Sequence, residues 1–315
     1  MWFSASMTII DTGLRVRPTT EEDFSRVARF IHFYDTTVGE FSDFTEEDLR
    51  EFSRMKRFEF TTGSWLVENG HEIVAFGMAW PHGPGLVCSF GIVHPDHTGH
   101  GLGTVCCDRA ERRAGELLTP AGGVLRSFVD LNDRAGRALL GMRGYAVVRR
   151  QYTMVRGLPA NEPVAVPDGV SIRAARRDEG RLLHTLVEET FAKHWAHVPR
   201  TYEEFNATTL HRGDTDPGLW FIAEADGEPV GILIATLDGS QGWVADLGVR
   251  DGWRRRGIGA ALLMRAFAEF TERGATEVGL GVDASNATGA VRLYESVGMS
   301  ARKVYEVHDL AIPAR

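Results

Sequence analysis

The sequence predicts two tandem domains of the α/β (α+β) class, each a mostly antiparallel mixed sheet flanked by helices. The first observation is a long internal repeat: "GLRVRPTTEED" (Gly13 to Asp23) answers "GVSIRAARRDE" (Gly169 to Glu179). Arg17 and Arg173 lie 173 − 17 = 156 residues apart, Gly101 and Gly257 also 156, and Asn132 and Asn286 154. That spacing is too long for a solenoid and fits a duplicated domain. The second is element order, because a three-strand meander precedes the first Gly-rich turn and helix, which a strictly alternating parallel sheet would not contain. The third is size: 315 residues, 43% of them hydrophobic, suffice for two separate cores.

The elements are clearest in the second half. Val170 to Arg173 reads as a strand, and Arg177 to Lys193 and Thr201 to His211 as helices. "LWFIAEADGEPVGILIATLDGSQGWVADLGV" (Leu219 to Val249) reads as the meander, turning at Asp226-Gly227 and Asp238-Gly239. Gly257 to Arg273 repeats apolar residues at helical spacing, Glu277 to Asp283 is a further strand, and Asn286 to Val297 a further helix. The first half follows the same order. "RGLPANEPVAVPDG" (Arg156 to Gly169) suits an extended linker, so the expected domains are 1–156 and 170–315, joined by 157–169.

Composition narrows the function. Acidic residues outnumber basic ones by 43 to 35, a formal charge of −8, which excludes a broad phosphate-tracking face and with it a nucleic-acid partner. Cys88, Cys106 and Cys107 form neither a CxxC pair nor a zinc spacing, so neither a disulfide framework nor a metal is expected. No apolar run reaches the roughly 18 residues of a spanning helix, and "MWFSASMTII" lacks a secretory signal pattern, with Met7 a possible natural start. The expectation is a cytoplasmic protein without a membrane partner, monomeric or homodimeric.

On this acidic background "DGWRRRGIGAALL" (Asp251 to Leu263) stands out. A strand ending at Val249, a Gly-rich turn and a helix starting near Gly257 point unpaired amides outward, and the helix dipole adds about half a positive charge there. Arg254, Arg255 and Arg256 supply charge, while Gly257 and Gly259 let the backbone of Gly257, Ile258, Gly259 and Ala260 approach an anion. A Walker A loop would need Gly-Lys-Ser/Thr, and a dinucleotide fingerprint a third glycine where Leu262 stands.

Arg254-x-x-Gly257-x-Gly259, preceded by "LGV" (Leu247, Gly248, Val249), resembles the acyl-CoA signature of the GNAT superfamily of N-acetyltransferases. "VDASNATGAVRLYESVGM" (Val282 to Met299) is similar to that superfamily's second block. The resemblance implies acetyl-CoA as cofactor, held by residues 247–249 and 254–260. Asn286, Ala290 and Tyr294, at i, i+4 and i+8 on one helix face, would meet its pantetheine arm and thioester. It further implies Tyr294 as general acid and the Leu247 amide as donor to the acetyl carbonyl. Where some relatives carry a basic Glu this chain has Gly281; Asp246 is the nearest carboxylate, either the base or a strand residue facing solvent.

In the first half Thr98 stands where Arg254 does and Leu140 where Tyr294 does, while Gly101 and Gly103 remain. That copy is expected to keep the fold without catalysis, although His97 and His100 could still help hold an anion. A two-domain chain with its complete site in the second half is similar in architecture to the mycothiol synthases, and His194, Trp195 and His197 fall where a substrate loop is expected. Three activities remain open at this level: acetylation of a small-molecule amine (amino sugar, amino acid, antibiotic or mycothiol-precursor-like), acetylation of peptide N-termini, and acyl-CoA binding without catalysis.

Overall fold

In the computed structural model, residues 13–39, 41–55, 58–160, 162–163, 165–195, 197–213, 215–286 and 288–315 are described. The N-terminal stretch containing Met7 lies outside them. The first half runs β1 (Leu14–Pro18), α1 (Phe24–Val38), α2 (Glu46–Arg54), α3 (Phe60–Gly63), β2 (Ser64–Asn69), β3 (Glu72–Gly83), β4 (Leu86–Val93), α4 (Leu102–Leu117), β5 (Gly123–Asp130), α5 (Arg134–Met142) and β6 (Ala146–Gly157). The second runs β7 (Val170–Ala174), α6 (Gly180–Phe191), α7 (Tyr202–Phe205), β8 (Trp220–Ala225), β9 (Glu228–Asp238), β10 (Gln241–Val249), α8 (Ile258–Glu272), β11 (Glu277–Asp283), α9 (Ala290–Ser296) and β12 (Ser300–Ile312).

Two compact units result, and they differ from a sequential cut at the linker. One comprises the chain to Arg150 together with Tyr305–Arg315, the other Gln151–Val304. In the first, β1 to β4 are antiparallel neighbours, β5 joins β4 in parallel, and residues 305–312 of β12 close the sheet antiparallel to β5. In the second, β7 to β10 are antiparallel neighbours, β11 joins β10 in parallel, and residues 151–157 of β6 close the sheet antiparallel to β11. Each unit thus completes its sheet with a strand from the other half of the chain, because an unpaired edge at β5 or β11 would leave backbone donors and acceptors without partners.

Each sheet buries both faces. In the first unit α1 packs Phe24, Val27, Phe30 and Ile31 on one face, and α4 packs Leu102, Cys106, Ala110 and Ala114 on the other. In the second, α6 buries Leu183, Leu186 and Val187 on one face, and α8 buries Ile258, Leu262, Leu263, Ala266, Phe267 and Phe270 on the other. The polar repeat has a structural cause. Arg17 bonds Asp23 at 2.6 Å and Glu68 at 2.9 Å, and Arg173 bonds Glu179 and Glu224, each at 2.8 Å. Both arginines fasten the first strand to the second and to the turn entering the first helix.

Candidate active site

Parallel pairing of β10 with β11 covers Gln241–Val244 against Glu277–Leu280. Beyond it β10 stays with β9 as far as Val249, and β11 stays with β6 as far as Asp283. The parallel strands therefore separate at their C-terminal ends, which opens a wedge. A β-bulge lies at the point of separation: Val244 pairs with Ala235 and Asp246 with Ile234, leaving Ala245 exposed and without a ladder partner. The extra residue reverses the alternation of side chains. Val244, Leu247 and Val249 accordingly all pack in the α8-side core, whereas Gly248 turns toward α6, where a Cβ would meet Thr190 Oγ1.

Backbone alternation then fixes the wedge wall. The Arg250 amide donates to the Val230 carbonyl of β9 at 2.9 Å. With a period of two, the amides of Gly248 and Asp246 also face β9, and those of Leu247 and Val249 face the wedge. Leu247, the residue nominated to donate to an acyl carbonyl, thus points its amide into the gap.

Past β10 the chain forms a tight nest. Gly257 has φ 84° as the N-cap of α8, and Arg255 has φ 60°. The first α8 bond runs from the Ala261 amide to the Gly257 carbonyl at 3.0 Å, so the amides of Ile258, Gly259 and Ala260 point ahead of the helix. The three arginines divide. Arg254 folds back: its Nε donates to the Val249 carbonyl at 2.9 Å, Nη2 to the Thr190 carbonyl at 3.3 Å, and Nη1 pairs with Asp251 at 3.0 Å. Arg255 and Arg256 are exposed, the latter with its guanidinium 4.6 Å from the Trp253 ring centroid.

The second block differs from the expected helix of Asn286 to Val297, since α9 begins at Ala290. The Asn286 carboxamide oxygen accepts from the Thr288 amide at 2.8 Å, and Gly289 has φ 81°, so a side-chain turn replaces the first helical turn. Asn286 therefore stands ahead of the helix that carries Ala290 and Tyr294. The helix end follows expectation: the Gly298 amide donates to Glu295 at 3.0 Å and the Met299 amide to Tyr294 at 3.0 Å, a Schellman motif with Gly298 at φ 80°. Tyr294 is buried in the apolar cluster that includes Leu247, Val249 and Val282. Its hydroxyl has no hydrogen-bond partner among the described residues, and burial pushes its pKa up to about 12.

Asp246 lies on the α6 face, where the nearest charges are Arg200, Glu188 and His197; burial raises its pKa, which shifts it toward the range of a useful base. Sequence reasoning missed Glu188, Arg200, Thr190 and Trp253. Only Trp253, next to the arginines, carried a local signal; the others reach the site through the packing of α6 and the segment that follows it. His194 stacks edge-on to Phe191 at 4.5 Å, and its pKa is lowered, first by burial and then by Arg254.

The first unit has the same wedge, since β4 pairs with β5 only over Leu86–Ser89. Its β4 pairs with β3 without a break from Val87 to Val93, and the register shift of that ladder lies instead in β3, between Pro81 and Gly83. Gly99 and Gly101 adopt φ 86° and 82°, matching Arg255 and Gly257. A cavity of about 480 Å³ lies here, lined among others by Thr98, Gly101, Gly103, Ser127 and Leu140. Cys88 and Cys106 are buried and Cys107 half-buried, all with free thiols whose pKa values burial raises. Among the described residues no group of His, Cys, Asp and Glu could hold a metal ion, and no helix is long and apolar enough to cross a membrane.

The family model of the acetyltransferase (GNAT) family matches residues 30–145 and 181–299. The mycothiol acetyltransferase of Thermobispora bispora is 33% identical over 75% of this chain and 79% of its own length. That of Acidothermus cellulolyticus is 32% identical over 66% of each chain. A GCN5-related N-acetyltransferase from Sphaerobacter thermophilus superposes with a TM-score of 0.81 at 27% identity, covering 97% of this chain and 98% of its own. A tandem GNAT protein of the clavulanic acid biosynthesis pathway shares the fold, with a TM-score of 0.72 at 14% identity over 95% of this chain and 98% of its own.

Proposed function

Because the chain belongs to the acetyltransferase (GNAT) family and carries two tandem GNAT domains, we propose that its second unit transfers acetyl from acetyl-CoA directly to a primary amine of a small molecule. One observation carries this reading: the Leu247 amide faces a wedge beside a buried phenol whose hydroxyl has no hydrogen-bond partner among the described residues. The forward amides of residues 258–260, with Arg255 and Arg256, suit a diphosphate. Arg254 braces the loop around it, and Asn286 reaches the pantetheine arm.

In this reading the Leu247 amide donates to the thioester carbonyl as negative charge builds there. The acidic cluster that contains Asp246 takes the proton of the acceptor ammonium, and Tyr294, protonated across the physiological range, donates to the departing thiolate. The first unit, with Thr98 and Leu140 in place of Arg254 and Tyr294, is a fold-preserving copy without catalysis. The names of the curated relatives favour an acceptor whose amine belongs to a small thiol precursor. Titration calorimetry with acetyl-CoA tests the first half of the proposal. Thiol release with glucosamine, spermidine, S-methyl-cysteinamide, an aminoglycoside and an alanyl peptide tests the second. Binding with turnover of a small amine supports it, turnover of the peptide alone supports N-terminal acetylation, and binding without turnover sinks the catalytic reading.

A further inference from the structure

Resting on that reading, the geometry points to Glu188, held in place by His197, as the group that receives the acceptor's ammonium and passes its proton outward beside Asp246. Glu188 projects from α6, and its Oε2 accepts from His197 Nε2 at 2.9 Å. Its other oxygen, Oε1, is sealed from solvent and makes no hydrogen bond to any of the described residues. The nearest cation to that oxygen, Arg200 Nε, stands 3.8 Å away, beyond hydrogen-bond reach. Arg200 is otherwise engaged, with its Nη1 3.3 Å from Thr209 Oγ1 and its guanidinium 5.1 Å from the Phe205 ring centroid.

The charge count supports a cationic guest. Among the described residues Asp246 and Glu188 face one permanent cation, Arg200, so two carboxylates share a single guanidinium. A sealed carboxylate oxygen without a hydrogen bond is costly, and an ammonium would supply one. One proton leaves the ammonium for the Glu188–His197 pair before attack. The amine then forms the C–N bond as the C–S bond breaks. The second nitrogen proton, lost as the adduct collapses, replaces the one that Tyr294 gives the thiolate, and one proton is released overall.

The test uses the full chain, acetyl-CoA and the panel amine that turns over fastest, across pH 6 to 9.5. Glu188→Gln is expected to lower kcat/KM for the amine about a hundredfold at pH 7 and leave the calorimetric Kd for acetyl-CoA within about twofold. The loss should shrink as pH rises, because the amine then sheds its proton in solution, and Glu188→Asp should recover part of it. A Glu188→Gln enzyme within about threefold of wild type at every pH overturns the proposal, and so does Glu188→Asp no better than Gln. Should Glu188→Gln not fold, His197→Asn decides: a raised amine KM with a displaced acid limb supports the pair, and an unchanged profile overturns it. Absence of wild-type turnover would instead sink the acetyltransfer reading itself.

Discussion

Tyr294 illustrates what burial does to an acid. Moving its pKa up to about 12 weakens the phenol as a donor yet keeps it protonated wherever the enzyme works. Tyr294→Phe is expected to cut kcat about 10- to 100-fold with the Kd for acetyl-CoA little changed, as single-turnover kinetics would register. The wild-type rate should show no alkaline fall from this group below about pH 11. Arg255 is the second informative residue. It holds a positive φ that its counterpart Gly99 adopts without strain, a cost that a guanidinium contact to the diphosphate would offset. Arg255→Gly is therefore expected to leave Tm unchanged or slightly higher and weaken acetyl-CoA about tenfold by calorimetry.

The bulge in β10 is the element-scale difference between the two copies. In the second unit Ala245 of β10 is left without a ladder partner, whereas in the first unit the register shifts in β3, between Pro81 and Gly83; beyond the shift Leu247 and its counterpart Gly91 face the α8-side and α4-side cores alike. Deleting Ala245 should remove the bulge and slip the register of β10 at the mouth of the wedge, retain a folded chain by circular dichroism, and lower thiol release to below about one hundredth of wild type. The paired arginine networks govern a different property. Beside Arg173 the Glu179 carboxyl falls to about 2, as Asp23 does beside Arg17. Because both folded values lie below the unfolded ones, the stability they contribute is complete above about pH 5 and lost as pH falls toward 2. Glu179→Gln should cost about 1–3 kcal/mol at pH 7 and nothing near pH 2, measurable by urea titration at both.

For the whole molecule the decisive feature is that each unit borrows its sixth strand from the other half of the chain. Cutting in the linker leaves β11 without residues 151–157 and β5 without residues 305–312. A fragment spanning 151–304 is expected to give a cooperative unfolding transition. One spanning 170–315 should aggregate or melt at least about 10 °C lower, as calorimetry would register.

The duplication, the two-faced sheet, the glycine turn before α8 and the helix that carries Tyr294 were legible in the chain, because repeats, helical spacing and glycine positions are local properties. Where Asn286 was extended into a helix, the sequence pattern missed that its own side chain bonds Thr288 and that Gly289 breaks the turn. The residues facing Asp246 lie 46 to 58 positions away and meet it only through the packing of α6 and its following segment on the bulged strand. Which strand closes which sheet was likewise decided by tertiary structure, since β6 and β12 have interchangeable patterns and pairing is settled by backbone partners far away in sequence. Local chemistry thus determined what each half could hold, and long-range pairing determined which groups stand around it.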